Sequence, residues 1–283
     1  MRVLVIGATG RLGRMLQWGW QNRADLDVTW QTRRSPPAAP GWITCDPLAE
    51  PWALQQAIAG KDAVVVLAGV VPRRSGPMSD NTRLALAALD AATDSGAHLF
   101  LCSSAAVYGR ASTPCHEEKT PHPETLYGQS KLKMEQAAYA KGGAFTCLRI
   151  GNVAGADALL GPMNAGPVPV TLDRFADGRS PRRSYFGPAS FAHALADLIL
   201  CLGTRTLPRI VNFAPPDAVE MADFLVRARI PWAWRPAPDT AVPQLELDTS
   251  RLMGLIPLAP ETGTAERLLA EWRSYVTTGS ASA

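Results

Sequence analysis

The sequence predicts an α/β fold: a doubly wound parallel sheet followed by a small C-terminal lobe. Three observations carry this. Short, almost continuously apolar runs alternate with longer polar-apolar periodic segments through the first half of the chain, a glycine cluster follows the first run, and the rhythm degrades after Gly151. Continuous apolarity over four to seven residues suits strands covered on both faces. The chain has 283 residues, 47% hydrophobic and 19% charged, enough for one large or two modest lobes.

The strand candidates are residues 2–7, 27–32, 63–68, 97–102 and 144–150, and the helix candidates between them are 12–22, 52–59, 81–93 and 126–140. Beyond Gly151, residues 155–169 read as a Gly- and Pro-containing loop. A helix near 191–202, a strand near 209–213, a helix near 221–229 and a final helix near 264–276 follow. The expected division is therefore a dinucleotide-binding domain at 1–151, a substrate lobe at 152–276 with the chain crossing back between lobes, and a flexible tail at 277–283 rich in Gly, Ser and Ala.

The charge balance excludes several partners. The 28 basic and 25 acidic residues are interspersed, which argues against a nucleic-acid stripe. The longest apolar stretch, 63–71, is far below the roughly 18 residues of a membrane span. A strand-like run directly after Met1 leaves no room for a secretion signal, so a cytoplasmic protein is expected. Five widely spaced cysteines without a CxxC predict neither a disulfide scaffold nor a metal site.

Between the first strand and first helix stands Gly7-Ala8-Thr9-Gly10-Arg11-Leu12-Gly13. Glycines there permit a positive φ, let backbone N–H groups approach a pyrophosphate and let the helix pack close to the strand. Gly7, Thr9, Gly10, Arg11, Leu12 and Gly13 are accordingly cofactor-binding candidates in a Rossmann-type turn, and Ala68, at the end of the third strand candidate, joins them. The second strand ends in Thr32-Arg33-Arg34, with no carboxylate to accept from a ribose 2′-hydroxyl. Arg33 and Arg34, with Arg11, suit a 2′-phosphate and so favour NADP(H) over NAD(H), although two exposed arginines also solvate a loop. Asp46 reads equally as a contact to the adenine amino group and as a turn residue ahead of Pro47.

Tyr127 and Lys131 in Tyr-Gly-Gln-Ser-Lys lie on one helix face at i and i+4. A phenol acting near neutral pH needs its pKa lowered by about three units, which a neighbouring ammonium and an oxidised nicotinamide favour. The fourth strand runs into Ser103-Ser104-Ala105-Ala106-Val107-Tyr108-Gly109, at the strand ends where such sheets collect their sites. None of the four histidines has ligand spacing to another, so no metal is expected.

GATGRLG, SSAAVYG and YGQSK, in this order and at these separations, resemble the extended short-chain dehydrogenase/reductase family, in particular its sugar-nucleotide epimerases. The resemblance extends through Asn81, Leu148-Arg149-Ile150-Gly151-Asn152-Val153, Arg183-Ser184-Tyr185-Phe186, Val211-Asn212-Phe213 and Leu247-Asp248-Thr249-Ser250-Arg251. It implies that Tyr127 is the acid/base, that Lys131 lowers its pKa and holds the nicotinamide ribose, and that Ser104 binds the reacting oxygen. It further implies that Asn152 and Arg183 contact the substrate, and that two copies pair through the helices containing Asn81 and Leu126. The chain departs from the family where Gly187-Pro188-Ala189-Ser190 replaces its usual His-Val-x-Asp, so an acidic anchor is exchanged for serine. Ala105 and Ala106, where dehydratases place acids, disfavour a 4,6-dehydratase. The expected activity is NADP(H)-dependent interconversion of a carbonyl and a secondary alcohol on a sugar-like or sugar-nucleotide substrate. A redox-neutral epimerase with tightly held NAD(P) and a non-catalytic dinucleotide-binding sensor or scaffold are the alternatives.

Overall fold

The computed structural model describes residues 1–34, 39–72, 76–165 and 168–279. In chain order its first half runs β1 (Arg2–Ile6), α1 (Arg11–Gly19), β2 (Asp27–Thr32), β3 (Trp42–Thr44), α2 (Pro51–Ile58), β4 (Ala63–Val66), α3 (Asp80–Ala91), β5 (His98–Ser104), α4 (Leu126–Lys141) and β6 (Phe145–Ile150). Then come β7 (Asn152–Val153), β8 (Val170–Arg174), β9 (Arg182–Arg183), β10 (Tyr185–Phe186), α5 (Pro188–Leu200), β11 (Ile210–Phe213), β12 (Val219–Glu220), α6 (Met221–Ala228), β13 (Trp232–Pro236), β14 (Gln244–Leu245), α7 (Ser250–Met253) and α8 (Ala265–Ser274).

Seven strands form one sheet in the order β11-β6-β5-β4-β1-β2-β3, and every pairing in it is parallel. Alternation along β1 shows why both faces are covered. Val3 and Val5 enter a core with Met15 and Leu16 of α1 and Phe191 and Leu195 of α5, whereas Leu4 and Ile6 enter a second core with α2, α3 and α4. The chain winds outward from β1 through β2 to β3, then restarts at β4 on the other side of β1. The crevice of such a sheet opens at that reversal. Here the backbones are too close for side chains: Gly7 follows β1 with φ +86°, and a Cβ on it would stand 2.6 Å from the nitrogen of Ala68 after β4.

The chain does cross back after residue 151, because β11 forms an edge of the main sheet and α5 covers a face beside α1. A separate cluster of buried side chains, including Leu160, Leu172, Tyr185, Leu225, Leu268 and Trp272, gathers β8, β10, α6 and α8. Several expectations need correction here. The loop expected over 155–169 contains a 3-10 turn at Gly161–Ala165, and six short strands, β7 to β10, β12 and β14, plus the five-residue β13, were not anticipated, nor was β3. Their partners are remote: β13 pairs with β8, and Gln244 and Leu245 align with Arg182 and Arg183. Two residues are too few to show alternation, so these strands are specified by pairing. α1 stops at Gly19 rather than residue 22, and α5 starts at Pro188 rather than 191. Of the expected tail, 277–279 belong to a π-helical turn, Tyr275–Gly279, in which Thr278 accepts a hydrogen bond from Trp18 Nε1 (3.0 Å); residues 280–283 lie outside the described residues.

α5 also resolves the substituted acidic anchor. Gly187 is its N-cap with no side-chain cap of its own, and Glu271 of α8 supplies the missing carboxylate. That carboxylate accepts from Ser190 N (2.8 Å) and Ser190 Oγ (2.6 Å). Among the described residues, no helix is long and apolar enough to cross a membrane.

Candidate active site

The carboxyl ends of β1, β4, β5 and β6 carry the motif residues. At the first, Gly10 is the N-cap of α1 and its nitrogen bonds Gly7 O (3.0 Å), while no side chain caps the helix. A Cβ on Gly13 would lie 2.3 Å from Ala8 O, so only glycine lets α1 approach the turn this closely. Gly7 N donates to Gln31 Oε1 (2.8 Å), and Gln31 Nε2 donates to Cys45 O (2.6 Å). A buried glutamine thus aligns three strand ends that sequence reading left unconnected.

Arg33 and Arg34 are exposed, and neither guanidinium has a partner among the described residues. Arg11 behaves differently. Its Nη1 donates to Ala156 O (2.9 Å), which ties the glycine turn to the loop after β7 instead of leaving that group free for a phosphate. Asp46 uses Oδ1 to accept from Leu48 N (2.9 Å) and Ala49 N (3.3 Å), the geometry of a turn residue, while Oδ2 has no partner among the described residues.

Ser104 ends β5 and, through its hydroxyl, caps the 3-10 turn Ala105–Val107 by accepting from Ala106 N (3.2 Å). Thr125 caps α4 in the same way, accepting from Gly128 N (3.0 Å). Gly128 then explains how Tyr127 reaches Ser104: a Cβ there would stand 2.4 Å from Ala106 O, so the first turn of α4 lies directly on the 3-10 turn. The Tyr127 phenol hydrogen-bonds Ser104. Burial pushes its pKa up, assisted by Cys102, while the Ser104 bond acts the other way. The expected lowering by Lys131 is thus not what the protein alone produces. Lys131 is buried, its Nζ donates to Cys102 O (2.7 Å) and lies 5.8 Å from the Tyr127 ring centre, and burial lowers its own pKa. Asn81 locks this corner, accepting from Val70 N (3.0 Å) and donating to Val70 O (3.0 Å) and Ser130 Oγ (3.0 Å).

Behind these residues runs a polar network that the sequence did not disclose. Glu135 accepts from Ser103 Oγ (2.5 Å) and Arg149 Nη2 (2.8 Å), and Arg149 Nη1 donates to Tyr108 Oη (3.0 Å). Tyr108 donates to Asn212 Oδ1 (2.7 Å), and Asn212 N donates to Glu117 Oε1 (2.9 Å). Burial pushes the Tyr108 phenol up to about 12. Arg149, Tyr108 and Asn212, each inside a stretch of family resemblance, are therefore held together as one buried frame for the ends of β5, β6 and β11. Glu135 had one sequence signal: an acid at i+4 from Lys131 on the buried face of α4.

Asn152 stands two residues beyond Ile150, which aligns with Ser104, and pairs in β7 with Tyr185 of β10. Arg183 donates to Val242 O (2.6 Å), Arg182 O (2.7 Å) and Pro243 O (3.2 Å), and burial lowers its pKa. Its positive charge meets carbonyl dipoles and no carboxylate within salt-bridge distance among the described residues. β9 adjoins β10, so Arg183 reaches the same end of the sheet as Tyr127.

This geometry defines an extended short-chain dehydrogenase/reductase enzyme, and the chain belongs to the NAD dependent epimerase/dehydratase family, whose sequence profile matches residues 3–188. No curated protein sequence matches. Among solved structures, the chain is similar to a UDP-glucose-4-epimerase from Stenotrophomonas maltophila with bound NAD (20% identity, 100% of each chain covered, TM-score 0.77). It is also similar to a short-chain dehydrogenase/reductase superfamily protein from Agrobacterium tumefaciens with bound NAD (17% identity, 100% of this chain and 99% of that one, TM-score 0.77). A third similar structure is an NAD-dependent NDP-hexosamine 5,6-dehydratase of tunicamycin biosynthesis (22% identity, 96% and 98%, TM-score 0.71).

Proposed function

We propose that the chain is an NADP(H)-dependent oxidoreductase that interconverts a carbonyl and a secondary alcohol on a sugar-like or sugar-nucleotide substrate. The observation that carries this is the meeting of Ser104, Tyr127 and Lys131 at adjacent strand ends, with Ser104 hydrogen-bonded to the Tyr127 phenol. The cradle for the cofactor fits on its own terms: Gly7 and Gly13 sit where a Cβ would collide with backbone, and the N-terminus of α1 is uncapped by any side chain. Thr32 in place of an acid, followed by the unpartnered Arg33 and Arg34, supports a 2′-phosphate and hence NADP(H) over NAD(H).

NADP(H), when bound there, supplies a hydride donor or acceptor. Tyr127 gives its proton to the carbonyl oxygen during reduction and takes one from the hydroxyl in the reverse direction. Burial keeps the phenol protonated, which suits proton donation, and the charge of Lys131 opposes that burial as the proton leaves. Ser104 orients the reacting oxygen, Lys131 holds the ribose, and Asn152 and Arg183 bind the rest of the substrate. Exposed Leu126 and Tyr139 on α4 support pairing of two copies through α3 and α4.

The test is to incubate the purified protein with NADP+ and UDP-glucose and follow near-ultraviolet absorbance of reduced nicotinamide. Net reduction supports the oxidoreductase, whereas product formation without it identifies the redox-neutral epimerase. Tyr127→Phe keeps the ring but removes the transferred proton, so turnover falls about 10²- to 10⁴-fold with cofactor affinity unchanged. Full activity in that variant overturns the assignment.

A further inference from the structure

The Asp157 carboxylate is surrounded by donors. It accepts from Tyr185 Oη (2.5 Å) and from Leu160 N (3.0 Å), and the N–H groups of Leu159 and Gly155 also favour its charged form, although burial raises its pKa. A carboxylate so placed offers no proton, so the single hydroxyl proton of Tyr185 is committed to it. The oxygen of Tyr185 is then an acceptor only. Its neighbour is Asn152, aligned with it across the β7/β10 ladder and acting on its hydroxyl by a side-chain hydrogen bond that favours the phenolate. That sense requires Asn152 to donate through Nδ2. A carboxamide whose nitrogen is turned one way has its oxygen turned another, and Oδ1 of this half-buried residue accepts from nothing among the described residues.

We infer that Asp157 and Tyr185 are positioning residues that hold the Asn152 carboxamide with its nitrogen inward and its carbonyl oxygen free, so this subsite takes a substrate hydroxyl and refuses a phosphate oxygen. A free carbonyl accepts from O–H and repels an oxyanion; the flipped amide would do the opposite. The loop that carries Asp157 is itself anchored, because Arg11 of the glycine turn bonds the carbonyl of Ala156. The assignment of a hydroxyl rests on the sugar-like substrate proposed above, whereas the orientation of the amide does not.

The chain has five asparagines, so ¹⁵N-asparagine labelling resolves each carboxamide, and Asn152→Asp assigns its signal. In the wild-type chain one Nδ2 proton of Asn152 exchanges with solvent about tenfold more slowly than those of exposed Asn22, and Tyr185→Phe removes that protection. Equal rates at Asn152 and Asn22 in the wild type overturn the inference, and this reading needs no variant to fold. A second arm titrates UDP and UDP-glucose into the NADP+-loaded protein. Tyr185→Phe lowers the ratio of UDP-glucose to UDP affinity roughly 2- to 10-fold while leaving UDP unchanged. Equal weakening of both ligands shows a phosphate contact and overturns the hydroxyl assignment. If neither ligand binds the wild type, the sugar-nucleotide reading fails, and the exchange rates alone decide whether the amide is held as described.

Discussion

Oε2 of Glu271 lies 2.3 Å from where a Cβ on Gly187 would stand. The two positions are complementary: the absence of a side chain at 187 is what admits the carboxylate of α8 to the first turn of α5. There it meets the N–H of Ser190 as well as the Ser190 hydroxyl, and Arg267 Nε donates to its other oxygen (2.6 Å). An anion at a helix N-terminus is favoured by the unpaired N–H groups and the helix dipole.

Glu271→Gln is expected to lower stability by about 1–3 kcal/mol, because a buried acceptor loses its charge while two donors remain. Gly187→Ala should cost a similar amount by expelling the carboxylate. Urea midpoints measure both, and the double variant should lose much less than the sum of the singles, since each removes the same contact.

Arg149 and Glu135 form an almost fully buried ion pair, with side chains 2% and 3% exposed. Burial alone would lower the Arg149 pKa; hydrogen bonding and charge from Glu135 raise it above its ordinary value. Removing one partner strands the other charge, so Arg149→Met or Glu135→Gln should each destabilise the fold by about 3–5 kcal/mol, read from thermal or urea unfolding. A loss below roughly 1 kcal/mol would mean that solvent reaches the pair.

Arg33→Asp replaces a charge-assisted phosphate contact by repulsion. NADPH binding should weaken by about 1.5–3 kcal/mol or more, with NADH affected far less. Calorimetric titration of both nucleotides gives the comparison, and an equal loss would contradict the NADP(H) preference.

His98 begins β5, accepts or donates at Thr146 Oγ1 (2.9 Å), and has its pKa lowered from 6.5 to about 4 by burial and by the charge of Arg209. Between those two values the unfolded chain binds the proton and the folded chain does not. Stability is therefore full above about pH 6.5 and falls as pH drops toward 4, by about 2 kcal/mol once its partial exposure is allowed for. His98→Gln should flatten this acid limb in unfolding curves recorded at several pH values.

The sheet strands β1, β2, β4, β5 and β6, the helices between them and the motifs at their ends were legible because each is written in contiguous residues. A strand covered on both faces reads as an apolar run, a tight strand-to-helix turn reads as glycines, and an i, i+4 pair reads as one helix face. Tertiary structure alone decided what required distant residues to meet. The strands at 182–183 and 244–245 exist only as each other's partners, and Glu271 takes the place of an acid that seemed merely lost from residue 190. Arg11, written in the glycine turn, spends Nη1 on a carbonyl 145 residues away. Likewise Arg149, Tyr108 and Asn212 were visible as separate motif letters, but nothing local could show that they share one buried hydrogen-bonded frame with Glu135. Local sequence encodes backbone preference and facial periodicity; the pairing of polar groups across the core is set by which surfaces the finished fold brings into contact.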